Sequence, residues 1–366
     1  MLFKNPFKNK DKPDTYTPEQ FWAWFGQKHK SFYKRMQESP EEGQAVLNEV
    51  LANAQKYYPG INGLIGLHDG TVELIFTPDG IIRDFVFILE LVEKAPDTPH
   101  WKFIYLKPDS NNFEFSITWD GYEVSKSNVW FYVNEDPEYP DEIDICLIYD
   151  HYTDQENYGG ILNGLLIYLD YCIGELNMAT RIDFIDLKTR EEMPEGVELI
   201  PLEKIRDYII WREKEFLQKY DKASYPLITE ESYSVLEAEI DDKPFIALIN
   251  AAWKDWEYKP VYSWCVKLSI NYKGQDNGLP SKDQLNDIQN FEEGIMKVCA
   301  ELGICHIGRT THNHESVIYL YSNEYLQVSK ALKEWVEEPG NFVSLDYSIS
   351  RDKYWRQVGE FYRNIE

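Results

Sequence analysis

The stretch HIGRTTHNHESVIYLYS, residues 306–322, places three histidines, an arginine, two threonines and a glutamate directly before an alternating apolar run. Alternation of apolar and polar residues is typical of a half-buried strand. The polar residues 311–314 fall between two such strands, where a hairpin needs residues that favour a turn. We therefore interpret this stretch as a β-hairpin with a polar turn.

A metal site is the main alternative for these histidines. His312 and His314 would lie on one strand face, and His306 could approach from the adjoining strand. A transition metal needs three or four ligands with supporting hydrogen bonds, and only Glu315 is at hand. We therefore predict no metal site and no cofactor here. The candidates for contact with a ligand or a partner are Arg309, Thr310, His312 and His314.

A similar order of predicted elements occurs earlier in the chain. In the first occurrence, a helix is followed by the stretch GINGLIGLHDGTVELIFTP (residues 60–78), a second helix and a strand. In the second occurrence, a helix is followed by GICHIGRTTHNHESVIYLYS (residues 303–322), a second helix and a strand. Preceded by another strand, the order α-β-β-α-β gives the split βαβ, or ferredoxin-like, arrangement. We therefore predict an α+β protein of two domains, each an antiparallel sheet with helices packed on it. Duplication of one unit is one explanation of this shared order.

The length of 366 residues suits two domains. Residues 1–16 read as a disordered basic tail and residues 17–222 as an N-terminal α+β domain. DKASYPLITEES breaks the periodicity and contains a proline, so residues 223–231 are predicted to be a linker. Residues 232–366 are then the C-terminal ferredoxin-like domain.

Three helix starts carry capping signals. Thr17 is followed by proline and Gln20, and Ser39 is followed by proline and two glutamates. Ser281 with Gln284 follows the turn sequence DNGLP and begins a helix that Gly303 ends. The most apolar segment, residues 159–176, has an aspartate in its middle, so it is predicted to be a core helix rather than a membrane span.

The formal charge of −26 excludes several classes of partner. An acidic surface repels nucleic acid and anionic lipid, so direct binding to either is not expected. Such a surface steers basic proteins, although solubility alone also explains it. The five cysteines are scattered and form no CxxC pair, which favours a reducing, cytoplasmic compartment. The oligomeric state is left open.

The run EDPEYPDEID, residues 135–144, holds six carboxylates in ten residues. It lacks the glycine and the ligand spacing of a calcium loop, and its prolines suit a loop between strands. A solvated loop is the simplest interpretation, and a docking surface for a basic partner is the alternative. The candidate contact residues are Glu135, Asp136, Glu138, Asp141 and Glu142.

From about Ser232 onward the chain resembles the bacterial family known as domain of unknown function 695. The resemblance rests on short motifs. The family is similar in fold to the regulator of ribonuclease activity B, a small acidic ferredoxin-like protein that binds and inhibits an endoribonuclease. That relation implies a fold and, by analogy only, a binding role. The motifs are PFIALIN (244–250), DNGLP (276–280), the helix around residues 291–293, GRTT (308–311), VIYLYS (317–322) and DKYWRQV (352–358).

No catalytic motif is present: the chain has no GxSxG, GxxxxGK[ST], HExxH or GxGxxG after a strand. No catalytic residue is therefore predicted. We expect a non-catalytic binding or regulatory module that engages another macromolecule. The alternative is a small-molecule or metal-dependent enzyme with its site between the domains.

Overall fold

The computed structural model describes residues 16–153, 157–221, 225–336 and 342–365. The chain divides into two compact units, one from Pro13 to Lys219 and the other from Tyr220 to Glu366, each considered over its described residues. Of the predicted basic tail, residues 1–15 lie outside the described residues, as do residues 223 and 224 of the predicted linker.

The N-terminal unit begins with two capped helices. The Thr17 side chain accepts a hydrogen bond from the Gln20 amide and the Gln20 side chain returns one, while Ser39 accepts from the Glu42 amide. Phe21 of the first helix is fully buried, and its ring contacts Phe76 of the following small sheet. The elements are α1 (Pro18–Met36), α2 (Pro40–Ala54), β1 (Asn62–His68), β2 (Thr71–Thr77), α3 (Phe85–Glu93) and β3 (Trp101–Tyr105).

The second part of this unit surrounds an apolar helix. The predicted core helix is present, but Gly174, at φ 81°, breaks it into two. No helix within the described residues is long and apolar enough to cross a membrane. The elements are β4 (Ser116–Trp119), β5 (Tyr122–Ser125), β6 (Val129–Val133), β7 (Asp144–Tyr149), α4 (Tyr158–Ile173), α5 (Glu175–Arg181), β8 (Phe184–Lys188), β9 (Ile200–Pro201) and α6 (Ile205–Lys219).

The larger N-terminal sheets differ from the expected antiparallel arrangement. The first has the order β1-β2-β3 and the second the order β8-β7-β6-β9. β2 pairs with β3, and β7 with β8, in parallel. The helices between these strands return the chain to the same end of the sheet, which makes a parallel pair possible. The protein is thus α+β, with mixed sheets in this unit.

The C-terminal unit is one six-stranded sheet with helices. The predicted capping box of Ser281 and Gln284 is present, and Gly303 ends the same helix at φ 67°. The elements are β10 (Tyr233–Ile240), β11 (Lys243–Asn250), β12 (Trp264–Asn271), α7 (Lys282–Leu302), β13 (Cys305–His312), β14 (Glu315–Ser322), α8 (Tyr325–Val336), β15 (Ser344–Arg351) and α9 (Arg356–Arg363).

The strand order of this sheet is β10-β11-β13-β14-β12-β15, and every neighbouring pair is antiparallel. β14 lies between β12 and β13, and β12 lies between β14 and β15. α7 joins β12 to β13 and α8 joins β14 to β15, so the order from β12 to β15 is compatible with the predicted ferredoxin-like arrangement. The hairpin β10-β11 extends the sheet beyond β13 and makes β10 an edge strand.

Several tryptophans are buried in this unit. Trp253, Trp256 and Trp355 pack with Cys265 and Tyr321 on one face of the sheet, together with α9. Trp335 of α8 contacts Phe291 of α7, and both side chains are buried. These four tryptophans are therefore part of the core.

Candidate functional site: an acidic sheet edge and the polar cluster behind it

A β-bulge in β13 changes which side chains share a face. Residues 306 and 309 are three apart, so a regular strand would place them on opposite faces. The register shifts between His306 and Gly308, and Arg309 then pairs with Ile318 while His306 pairs with Leu320. His306 and Arg309 therefore lie on the same face. A Cβ on Gly308, whose φ is 140°, would approach the Leu248 carbonyl oxygen to 2.1 Å, so the bulge requires glycine.

The bulge brings His306 and Arg309 to one carboxylate. Glu292 of α7 accepts a hydrogen bond from Arg309 Nη1 at 2.5 Å and lies 3.1 Å from His306 Nε2. The three side chains are only 7–9% exposed. Burial of an unpaired charge is costly, so removal of either Arg309 or Glu292 would destabilise the fold by leaving the other charge buried alone. The sequence alone gave no signal for this cluster, because it depends on the bulge.

The cluster connects to the edge strand through a tyrosine. The Tyr233 hydroxyl of β10 lies 3.3 Å from His306 Nδ1. In the neutral tautomer whose Nε2 donates to Glu292, Nδ1 is the acceptor for this hydroxyl. Burial raises the pKa of Tyr233, and the charges of Glu231 and Glu292 act in the same direction. The first residue of β10, although 37% exposed, is thus linked by its hydroxyl to the buried His306.

The other predicted histidines do not join this cluster. His312 Nδ1 lies 3.1 Å from the Pro244 carbonyl oxygen, and its ring is near Phe245. His314 is in the hairpin turn with Asn313, at φ 70° and 43°, and its amide donates to the Gly278 carbonyl oxygen. The described part of the chain holds no group of three or more His, Cys, Asp or Glu side chains placed to bind a metal.

Two of the predicted contact residues lie inside the unit. Arg309 is 7% exposed and Thr310 is 5% exposed. Thr310 pairs with Ala247 of β11 and so lies in the middle of the sheet. Side chains this deeply buried cannot contact a partner directly. Arg309 is connected to the edge strand by successive contacts with Glu292, His306 and Tyr233.

The acidic loop, residues 135–144, is partly structural. Glu135, Asp136 and Glu138 are exposed, whereas Asp141 is 9% exposed. Both Asp141 oxygens accept hydrogen bonds from Lys219 Nζ of α6 at 2.9 Å. The loop and α6 also line a cavity of about 480 Å³. The first part of this loop therefore presents its carboxylates most fully to solvent, while Glu142 and Asp144 are half-buried.

A second acidic segment was not singled out by the sequence analysis. Residues 230–242, which we call the acidic edge, contain six carboxylates and no lysine or arginine. They comprise β10, the residues before it and the turn after it. Val235 is 60% exposed and Ile240 is 43% exposed. Alternation of apolar and acidic residues in LEAEI (236–240) is typical of a strand, but it does not indicate that the strand lies at an edge. The carboxylates are Glu230, Glu231, Glu237, Glu239, Asp241 and Asp242.

A buried carboxylate in the N-terminal unit provides a contrast with Glu292. Glu175, which is 1% exposed, accepts hydrogen bonds from the Thr77 hydroxyl at 2.7 Å and from the amides of Gly80 at 2.6 Å and Lys107 at 3.2 Å. Burial raises the pKa of Glu175 above its ordinary value. Because it joins the end of β2 to the start of α5, we interpret Glu175 as structural.

The comparison with known families locates the resemblance in the C-terminal unit. Residues 231–362 match the model of the Family of unknown function (DUF695). The match confirms the resemblance over about a third of the chain and begins at the acidic edge. No curated protein and no solved structure matches the chain.

Proposed function

We propose that this protein is a non-catalytic binding module that engages a basic protein. The observation that carries the proposal is a set of exposed carboxylates without ion pairs. Within the described part of the chain, Glu135, Asp136 and Glu138 of the acidic loop make no ion pair. The same is true of all the carboxylates of the acidic edge. Exposed, unpaired charges contribute little to stability, so their effect is on what approaches the surface.

The overall charge supports a basic partner. At −26, the chain creates a field that speeds the approach of a cation and opposes that of phosphate groups. We propose that the protein acts in the cytoplasm, and the five buried free thiols support this. The family match supplies no activity, so the proposal depends on the surface alone.

The kinetics of association test this proposal. Partners would be captured by chemical crosslinking in a host lysate, purified, and measured against the full chain from about 50 to about 300 mM salt, where screening changes most. We expect the association rate to fall steeply with salt and the dissociation rate to change less. The variant Glu135→Gln/Asp136→Asn/Glu138→Gln should weaken this dependence.

A control variant with the same change in charge is Glu38→Gln/Asp97→Asn/Glu195→Gln, since these three carboxylates are also exposed and make no ion pair with a described residue. It should retain most of the salt dependence if the charges act locally. An association rate that is indifferent to salt for every purified partner would overturn the proposal.

A further inference from the structure

We propose that the outer edge of β10 is the docking site, and that an extended basic segment of the partner adds to the sheet there as a seventh strand. This inference rests on the proposed function and specifies its site. Strand addition supplies main-chain hydrogen bonds for affinity, and side chains at alternate positions supply specificity.

The backbone of β10 is suited to this addition. All eight residues pair with β11 in an unbroken register, from Tyr233 opposite Asn250 to Ile240 opposite Lys243. The hairpin closes through Asp241 and Asp242, both at positive φ, as a two-residue turn requires. In such a hairpin, alternate residues direct their N–H and C=O groups away from the partner strand. Within the described residues no strand pairs with that outer side.

The edge is held in place before any partner arrives. Tyr233 is tied to His306, the Ser232 amide donates to Asn250 Oδ1 at 3.0 Å, and the Ala251 amide donates to the Ser232 carbonyl oxygen at 2.6 Å. Behind Tyr233, His306 is fixed in turn by Glu292. A preorganised strand loses less conformational entropy on binding than a mobile one.

The charge of the edge selects the occupant. Two copies of β10 placed side by side would face carboxylate with carboxylate, and directly opposed like charges are destabilising. A second copy of this chain is therefore a poor occupant. Glu237 and Glu239 lie on the same strand face as the exposed Val235, because all three are odd-numbered. A segment that alternates lysine or arginine with β-branched apolar residues complements this face.

The same carboxylates have a simpler explanation. Natural sheets use charged side chains on edge strands to prevent association between edges. In that case neutralising Glu237 and Glu239 would cause self-association and leave binding of a basic segment unchanged. The experiment must therefore distinguish backbone pairing, simple charge attraction and protection of the edge.

The probe is an eight-residue peptide that alternates lysine and valine, titrated into the full chain by calorimetry. Val235→Pro removes an outward N–H without removing a bond to β11, and Val235→Ala is its matched control. We expect Val235→Pro to lower affinity about tenfold and Val235→Ala much less, since one lost hydrogen bond corresponds to roughly that factor. Methylation of alternate peptide amides, which keeps the charge, should cause a similar loss.

The outcomes separate the two proposals. Equal binding by Val235→Pro and Val235→Ala, or by the methylated peptide, would overturn strand addition while a steep salt dependence still supported the basic partner. Self-association of Glu237→Gln/Glu239→Gln with unchanged peptide affinity would overturn it too, in favour of edge protection. Absence of any salt-dependent binding to basic ligands would instead overturn the proposed function. Circular dichroism would verify that each variant is folded.

Discussion

The acidic loop and the acidic edge carry six carboxylates each, yet the fold uses them differently. In the loop, Asp141 is held by Lys219, Asp144 accepts a hydrogen bond from Asn134, and Asp136 accepts one from the Glu138 amide. In the edge, no carboxylate side chain makes a hydrogen bond or an ion pair with a described residue. Equal numbers of charges therefore leave unequal numbers available to a partner.

This difference shows that acidic runs in a sequence mix two kinds of carboxylate. One kind is part of the fold, and its removal destabilises the protein. The other kind contributes only to the surrounding field. A variant that neutralised Glu135, Asp136, Glu138, Asp141 and Glu142 together would combine both effects, so the informative loop variant omits Asp141 and Glu142. The free energy of unfolding of single variants distinguishes the two kinds.

The largest effect is expected for the carboxylate that pairs with a buried arginine. Glu292→Gln leaves the Arg309 guanidinium buried without a counter-charge, which costs about 3–5 kcal/mol. Chemical denaturation monitored by tryptophan fluorescence would measure the loss. The neighbouring Glu293, which is exposed, provides the matched control Glu293→Gln, with a change near zero. Equal stability of the two variants would mean that the Glu292 cluster does not support the fold.

Glu175→Gln should cost less, because the donors around Glu175 are neutral. One oxygen becomes an amide that cannot accept from Gly80, a loss of about 2 kcal/mol. The pKa of Glu175 is raised above its ordinary 4.5. Its folded form therefore holds its proton more tightly than the unfolded form, and wild-type stability falls as pH rises from 4.5 through the folded pKa.

The advantage of wild type over Glu175→Gln should accordingly be greatest below pH 4.5 and shrink as pH rises through that window. Thermal unfolding of the two proteins across the window would show the trend. An advantage that grew with pH would contradict the assignment of a raised pKa to this carboxyl.

A smaller loss is expected within the acidic loop itself. Asp141→Asn removes the ion pair with Lys219, whose side chain is 51% exposed, and leaves one oxygen to accept a hydrogen bond, so it should cost about 1 kcal/mol. Glu138→Gln, three residues earlier, should change the free energy of unfolding by less than about 0.5 kcal/mol. The midpoints of unfolding in urea would be compared for the two variants. Identical midpoints would mean that Asp141 contributes no more to the fold than Glu138.

Local signals in the sequence predicted local structure well. Thr17, Ser39 and Ser281 cap helices because each has a side-chain oxygen within reach of an amide three residues later, a relation visible in the sequence. The polar turn of the β13-β14 hairpin was also predictable. Strand order was not: α-β-β-α-β occurs in both units, but β3 pairs directly with β2, whereas β12 lies between β14 and β15.

The candidate site was predictable only in part. The exposed residues of the acidic loop follow from its prolines and charges. The convergence of His306 and Arg309 on Glu292 depends on the Gly308 bulge, and a bulge reverses the face on which later side chains lie. Availability of the acidic edge depends on β10 being an outer strand. Both are properties of long-range pairing, which composition and spacing do not determine.

The smallest effect on stability is expected at the acidic edge. Glu237→Gln/Glu239→Gln should change the free energy of unfolding by less than about 0.5 kcal/mol, since both side chains are exposed and unpaired. Relief of repulsion would make the change slightly stabilising. Thermal denaturation would test it, and a loss comparable with that of Asp141→Asn would show that the edge carboxylates belong to the fold.

Amide exchange measured by nuclear magnetic resonance, with and without the lysine–valine peptide, tests the central claim most directly. Strand addition predicts new protection at the outward amides of β10, those of Val235, Glu237 and Glu239, and no change at the inward amides, which are already bonded to β11. The acidic loop should show no such alternation. Protection confined to the acidic loop, or none on β10 at saturating peptide, would contradict the claim that the sheet edge is the binding surface.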